Sequence, residues 1–161
     1  MENNGVGSWL RRRRPKSGPK PALICADGEL SYDGLAERAD RLANVLRVRG
    51  VAKRDRVAYL GENDSSFVET FFACGLLGAI FVPLNTRLAA PELQFQLQDS
   101  GARFLVNAEG LEPLAAAAAK GTSVGTRLVV DAGHGSAAAG EKLPPGVERY
   151  EEALSAAVAA P

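Results

Sequence analysis

Gly78–Val106 reads GAIFVPLNTRLAAPELQFQLQDSGARFLV, and it places two short apolar strands on either side of a loop and a capped helix. Ile80, Phe81 and Val82 favour an extended chain. Pro83 closes that strand because proline donates no ladder hydrogen bond and is tolerated at strand ends or edges. Leu84–Ala90 is therefore a loop. Pro91 suits a first helical position, Glu92 suits the positive N-terminal end, and Leu93 with Leu97 form an i, i+4 apolar pair before Ser100 and Gly101 stop the helix. Phe104–Val106 returns as a strand.

The same punctuation extends outward. Ala22–Cys25 reads as a strand, turned by Asp27 and Gly28, and Ser31 is an N-cap for a helix over Tyr32–Arg49. Leu35, Ala39, Leu42, Ala43 and Leu46 share one helical stripe, leaving Glu37, Arg38, Arg41 and Arg49 for solvent, and Gly50 ends the helix. Val57–Leu60 is the next strand. Asn63, Asp64 or Ser65 caps a helix over Phe67–Leu77, which is apolar on several sides and is expected to be deeply buried, and Gly78 closes it. Strands near positions 23, 58, 81, 105 and 129, with helices in the gaps, predict an α/β fold of alternating strand–helix units on a mostly parallel sheet. Beyond Gly110 the chain turns alanine-rich and loop-like, with Leu128–Val130 as one clear strand and a last helix from about Tyr150 to Ala160. A boundary near Ala132 separates two parts of one domain.

Composition sets the class. With 161 residues, 46% hydrophobic and 24% charged, the chain can build one ordinary globular core. Net charge is zero, yet six of the ten residues from Arg11 to Lys20 (RRRRPKSGPK) are basic and none is acidic. That run invites a nucleic-acid reading, but only Trp9 is an aromatic neighbour, two prolines obstruct a continuous basic helix, and no recognition module follows. Residues 1–21 are read as a solvated basic arm, with no nucleic-acid partner. Ser17, Gly18, Pro19 and Lys20 occupy the place where an export signal would need its apolar region. No run of 18 apolar residues predicts a membrane span, so a cytoplasmic chain is expected.

The residues offer little visible chemistry. Cys25, Cys74 and the lone His134 lack zinc-ligand spacing, and both cysteines read as buried small hydrophobes rather than as a Cys–His nucleophilic pair. Cys25–Glu29 lacks the glycine spacing of a dinucleotide loop. Gly121–Thr126 has the composition of a phosphate loop, but it precedes a strand and reads as a linker. The acid pairs Glu151–Glu152 and Asp27–Glu29 read as solvated surface, and Trp9, Phe71, Phe72 and Phe81 as core.

From Trp9 to Val106 the order of signals resembles the N-terminal part of AMP-forming acyl-CoA synthetases, of the adenylate-forming, AMP-binding superfamily. The match is collinear: Ser8-Trp9 before arginines, Leu30-Ser31-Tyr32 with Gly34 and Leu35, Arg41-Leu42-Ala43, Gly50-Val51, Asp55-Arg56-Val57, Asn63, Leu77-Gly78-Ala79, Val82-Pro83-Leu84-Asn85 and Asp99-Ser100-Gly101-Ala102. One departure stands out: the family usually carries glycine before Asp-Arg-Val, and this chain has Arg54, which implies a cost in a tight turn.

The resemblance implies the first part of the large N-terminal domain of such enzymes: a basic arm over 1–21, the α/β portion over 22–131, and an incomplete continuation over 132–161. It implies a parent enzyme that uses ATP, magnesium and coenzyme A to turn a small-molecule carboxylic acid, with fatty acid as the first expectation, into an acyl-adenylate and then a thioester. The family's phosphate loop, magnesium acid, ribose aspartate and lid lysine do not occur in these 161 residues, so no catalytic residue is assigned and none of those cofactors is expected to bind this chain tightly alone. Asn85, Thr86 and Arg87 lie in a loop that approaches coenzyme A in some relatives. Arg87 there has two readings, a phosphate contact or a structural pair with Glu92, and Asn63 reads as a helix cap. The competing reading is a noncatalytic interaction module derived from the same fold.

Overall fold

The computed structural model describes residues 5–26, 28–132 and 142–158. Two compact units divide them, one drawing on 1–54, 63–80 and 153–161, the other on 55–62 and 81–152.

The first unit begins with a single 3-10 turn, Val6–Ser8, and α1, Trp9–Ser17, followed by a hairpin of β1, Pro21–Cys25, and β2, Gly28–Ser31. These two strands pair antiparallel, Leu23 opposite Leu30 and Cys25 opposite Gly28, in a sheet of their own. The strand expected near position 23 therefore exists but does not join the parallel sheet. Ser31 caps α2, Tyr32–Val48, its hydroxyl oxygen accepting the Gly34 N–H at 3.1 Å. Leu35, Ala39, Leu42, Ala43 and Leu46 are all buried, as their spacing requires. Leu10, Leu35, Ala36 and Ala39 form a core with Leu23, Leu30, Val68, Phe72 and Leu76 packed against it. The next helix, α3, spans Ser65–Leu77, with Asp64 as its N-cap accepting the Phe67 N–H at 3.1 Å.

Several expectations fail here. Pro15 does not prevent a helix: α1 continues through it, held by burial of Leu10 and Ser17, and this packing outweighs local propensity. Trp9 is 60% exposed rather than core. In α3 the fully buried side chains are Ser66, Glu69, Thr70, Ala73 and Cys74, while Phe67, Phe71 and Phe72 are half-buried. The inversion has a cause within the unit. Glu69, with no exposed surface, accepts two hydrogen bonds from the Arg38 guanidinium, at 2.7 and 3.2 Å, so its charge is paired where it is buried. Arg38 and Arg41, expected to face solvent, are both engaged. Arg41 donates to the carbonyls of Leu154 and Ala157 at 3.4 and 2.8 Å.

Backbone approach is closest at Gly7 and Gly75. A Cβ on Gly7 would lie 2.4 Å from the carbonyl carbon and oxygen of Gly75, so neither position has room for a side chain without movement.

The second unit carries the sheet. Its strands are β3, Arg56–Leu60; β4, Ile80–Pro83; β5, Phe104–Ala108; β6, Thr126–Val130; and β7, Val147–Arg149, in the order β4-β3-β5-β6-β7. β3 with β5, β5 with β6, and β6 with β7 are parallel, with Leu60 beside Asn107 and Asn107 beside Val129. The α/β parallel-sheet class is the observed one, and β7, hidden in a Gly- and Ala-rich stretch, is an addition to the expected strands. Helices α4, Ala90–Ser100, and α5, Glu112–Ala119, cover one face: Leu93, Leu97, Ala115 and Ala118 pack on Ala58, Leu60, Leu84 and Leu105. Complete burial of Leu93 and Leu97 stabilises this face by roughly 1.5–3 kcal/mol each. The last helix, α6, spans Tyr150–Ala156.

Candidate functional site

In open α/β sheets, loops at the carboxyl ends of parallel strands are where ligands bind, because connections there leave a crevice. The segment after β4 is such a loop, and it is pinned at both ends. Leu84, buried in the α4–α5 face, donates its N–H to the Tyr59 carbonyl at 2.8 Å. Four residues on, Leu88 donates its N–H to the Asn85 carbonyl at 3.2 Å and packs against the same core. Between these anchors the Asn85 side-chain oxygen accepts the Arg87 N–H at 2.9 Å, an Asx turn that fixes the backbone of the tip. Asn85 and Arg87 are both exposed.

Of the two readings of Arg87, the Glu92 pair does not form. The Glu92 carboxylate instead accepts the Ala89 N–H at 2.9 Å and serves the first turn of α4. Among the described residues no carboxylate lies within ion-pair distance of Arg87, so an exposed guanidinium is presented on a fixed loop. Its fork of donors suits a phosphate or carboxylate oxygen. Asn63, by contrast, is exposed and not the cap; Asp64 takes that role.

Sequence reasoning missed a second polar group, built from β5, β6 and β7 and the segments that follow β5 and β6. Asn107, fully buried, donates to a Glu112 oxygen at 2.8 Å and to the Ala108 carbonyl at 3.2 Å, and Arg127 donates to the other Glu112 oxygen at 2.6 Å. Arg149 donates to Asp131 at 2.7 Å, with Glu109 at 3.7 Å, and Glu109 accepts the Ala132 N–H at 3.1 Å. The hydrogen bond with Asp131, more than any other cause, raises the Arg149 pKa. Together these side chains tie β6 and β7 to the start of α5. The signal was present, since Asn107 and Arg127 interrupt otherwise apolar strands. The Asn107 side-chain oxygen is buried without a partner.

Several of the remaining candidates have partners within the chain. Arg11 pairs with Asp40 at 3.3 Å, Arg14 with Asp33 at 3.0 Å, Arg12 donates to the Ser8 hydroxyl at 3.1 Å, and Arg13 lies 5.4 Å from the Tyr32 ring centre. The whole arginine run thus has partners within the chain. Thr122 donates its hydroxyl to the Ala119 carbonyl at 2.7 Å and accepts the Val124 N–H, so the Gly121–Thr126 stretch finishes α5 and leads into β6. Cys74 is buried, and burial pushes its thiol up to about 12, which suppresses the thiolate that nucleophilic chemistry needs. Cys25 is only half-buried, against expectation. Glu29, Glu151 and Glu152 are exposed. His134 and Asp27 lie outside the described residues. Among the described residues no three His, Cys, Asp or Glu side chains gather to hold a metal ion, and no helix is long and apolar enough to cross a membrane.

Fold and loop together define an open α/β protein with an exposed Asn–Thr–Arg turn following a sheet strand. Comparison makes this specific: residues 10–157 match the family described as AMP-binding enzyme, and the chain belongs to that family. It is 47% identical over 151 residues to a feruloyl-CoA synthase of an Amycolatopsis species, covering 92% of this chain and 30% of that relative. It is 39% identical over 109 residues to the long-chain-fatty-acid–CoA ligase FadD13 of Mycobacterium tuberculosis, 66% of this chain and 21% of that one. Among solved structures, the anthranilate CoA ligase AuaEII in complex with anthranoyl-AMP superimposes with a TM-score of 0.85 at 25% identity, covering 97% of this chain and 29% of that one. The N-terminal domain of FACL13 from Mycobacterium tuberculosis, with inhibitor bound, gives 0.79 at 32% identity, covering 97% and 36%. The chain spans about a third or less of these relatives.

Proposed function

We propose that this chain is the opening part of the N-terminal domain of an AMP-forming acid–coenzyme A ligase, supplying scaffold and one binding loop while the reacting groups lie on other parts of that ligase. The collinear family match over 10–157 carries this reading. In it, residues 1–21 are the arm, 22–131 the α/β portion, and 132–161 a continuation of the same domain, in a cytoplasmic enzyme. The parent reaction joins a carboxylic acid to ATP, giving acyl-adenylate and pyrophosphate, and then passes the acyl group to the thiol of coenzyme A with release of AMP. Carboxylate attack on a phosphate brings anions together, so positioned cations and amides must offset their repulsion. Arg87 fits the phosphate-bearing part of coenzyme A, because its guanidinium is exposed and free of an ion pair with any described carboxylate.

The substrate is a small carboxylic acid. Fatty acid is the first class to test, with aryl acids beside it, since the relatives' names span both. ATP–pyrophosphate exchange tests the reading. The 161-residue chain alone is expected to give none with either acid class, and a longer ligase carrying it is expected to give exchange. Robust exchange by the short chain overturns the proposal. The half-buried Phe67 and Phe71 of α3 favour a second reading, a noncatalytic interaction module. Monomeric chain that binds no apolar-surface dye would exclude it.

A further inference from the structure

We infer that Asn85 is a positioning residue for Arg87; this rests on the reading of Arg87 as a phosphate-binding cation. Asn85 uses both of its oxygens on the backbone of its own loop. The side-chain oxygen holds the Arg87 N–H at 2.9 Å and the carbonyl holds the Leu88 N–H at 3.2 Å. The loop on either side is also fixed, by Leu84 on the Tyr59 carbonyl and by Ala89 on the Glu92 carboxylate. Only the tip, Thr86 and Arg87, depends on the Asn85 side chain for its path. An arginine on a free tip samples many directions, and a ligand that selects one of them binds more weakly by the fraction of time that direction is populated. The Asx turn removes that loss before the ligand arrives.

Other sites give no comparable case. The groove lined by Leu88, Pro91, Phe95 and Gln96, about 460 Å³, has nothing beside it that selects an occupant. The buried Asn107 oxygen is closed off from ligands in solution.

The test uses the longer ligase that carries this chain, in four forms: wild type, Asn85→Ala, Asn85→Ser and Arg87→Ala, with the Asn85→Ala/Arg87→Ala double variant added. Steady-state kinetics with coenzyme A as varied substrate give KM and kcat. Arg87→Ala is expected to raise KM about tenfold or more, the loss of a charge-assisted hydrogen bond. Asn85→Ala is expected to raise KM by about threefold to tenfold, with the defect in KM rather than kcat. Asn85→Ser, whose hydroxyl oxygen can still accept the Arg87 N–H, should recover most of it. The double variant should match Arg87→Ala alone, since a positioning residue has nothing left to position. An Asn85→Ala effect that multiplies fully with Arg87→Ala, or that Ser fails to rescue, overturns the positioning role while leaving Arg87 as the phosphate contact. An unchanged KM in Arg87→Ala overturns both.

Discussion

Arg54 offers the sharpest test of how this chain meets its fold. It is the one non-glycine residue among those described with positive φ, at 73°. The turn it makes leads from Val51 into β3, and its N–H donates to the Gly78 carbonyl at 2.8 Å. The side chain is exposed and forms no ion pair with a described carboxylate, so removing it loses no buried contact. In the left-handed region a Cβ crowds the following carbonyl, at a cost of about 1–2 kcal/mol. Glycine escapes that cost and keeps the N–H, but it adds conformational freedom to the unfolded chain, about 0.5–1 kcal/mol. Arg54→Gly should therefore stabilise by about 0.5–1 kcal/mol, a rise of roughly 1–4 °C in Tm for a chain of this size. Arg54→Ala keeps the Cβ and isolates the effect of φ from that of the side chain. Thermal and urea unfolding of the three proteins decide the matter. If Gly is no more stable than Ala, the left-handed strain assigned to position 54 is wrong.

Three further outcomes follow from packing and charge. Arg38→Ala removes the guanidinium that pairs with the buried Glu69 carboxylate and should cost about 3–5 kcal/mol in urea unfolding, whereas replacing both partners with Met and Leu should recover most of that loss. Gly7→Ala forces a Cβ against the Gly75 backbone and should cost about 1–3 kcal/mol, while Gly110→Ala, with nothing within 4 Å, should change Tm little. The Cys74 thiol ionises near 9.0 when unfolded and near 12 when folded, so the unfolded chain releases a proton first and stability falls as pH rises through that window. The stability of wild type relative to Cys74→Ala should therefore fall by about 1 kcal/mol per pH unit above 9, read from unfolding curves at stepped pH.

The parallel-sheet architecture was legible wherever periodicity and punctuation agreed. Ser31, Gly78 and Gly101 mark helix ends, and Leu93 with Leu97 mark a buried face, because caps and i, i+4 spacing act locally. What was not legible depended on partners distant in sequence. Ala22–Cys25 has the composition of a parallel strand, and only its pairing with Gly28–Ser31 makes it a hairpin. The polar line of α3 is buried because Arg38, 31 residues away, arrives to pair Glu69. Pro15 sits inside a helix because burial of Leu10 and Ser17 elsewhere in it outweighs its own preference. Asn85 and Arg87 could be named from the resemblance, but the Asx turn between them and the capture of Glu92 by Ala89 could not, since both depend on backbone geometry. Asn107 and Arg127 were visible as polar breaks in apolar strands, though not as one network through Glu112.

Calorimetric titration of magnesium-ATP into the isolated 161-residue chain, beside the same titration of a longer ligase containing it, separates scaffold from reactive machinery. Saturable heat with the longer ligase and none with the short chain is the expected pair of results. Tight, magnesium-dependent binding by the short chain would contradict the assignment of nucleotide activation to other parts of the enzyme.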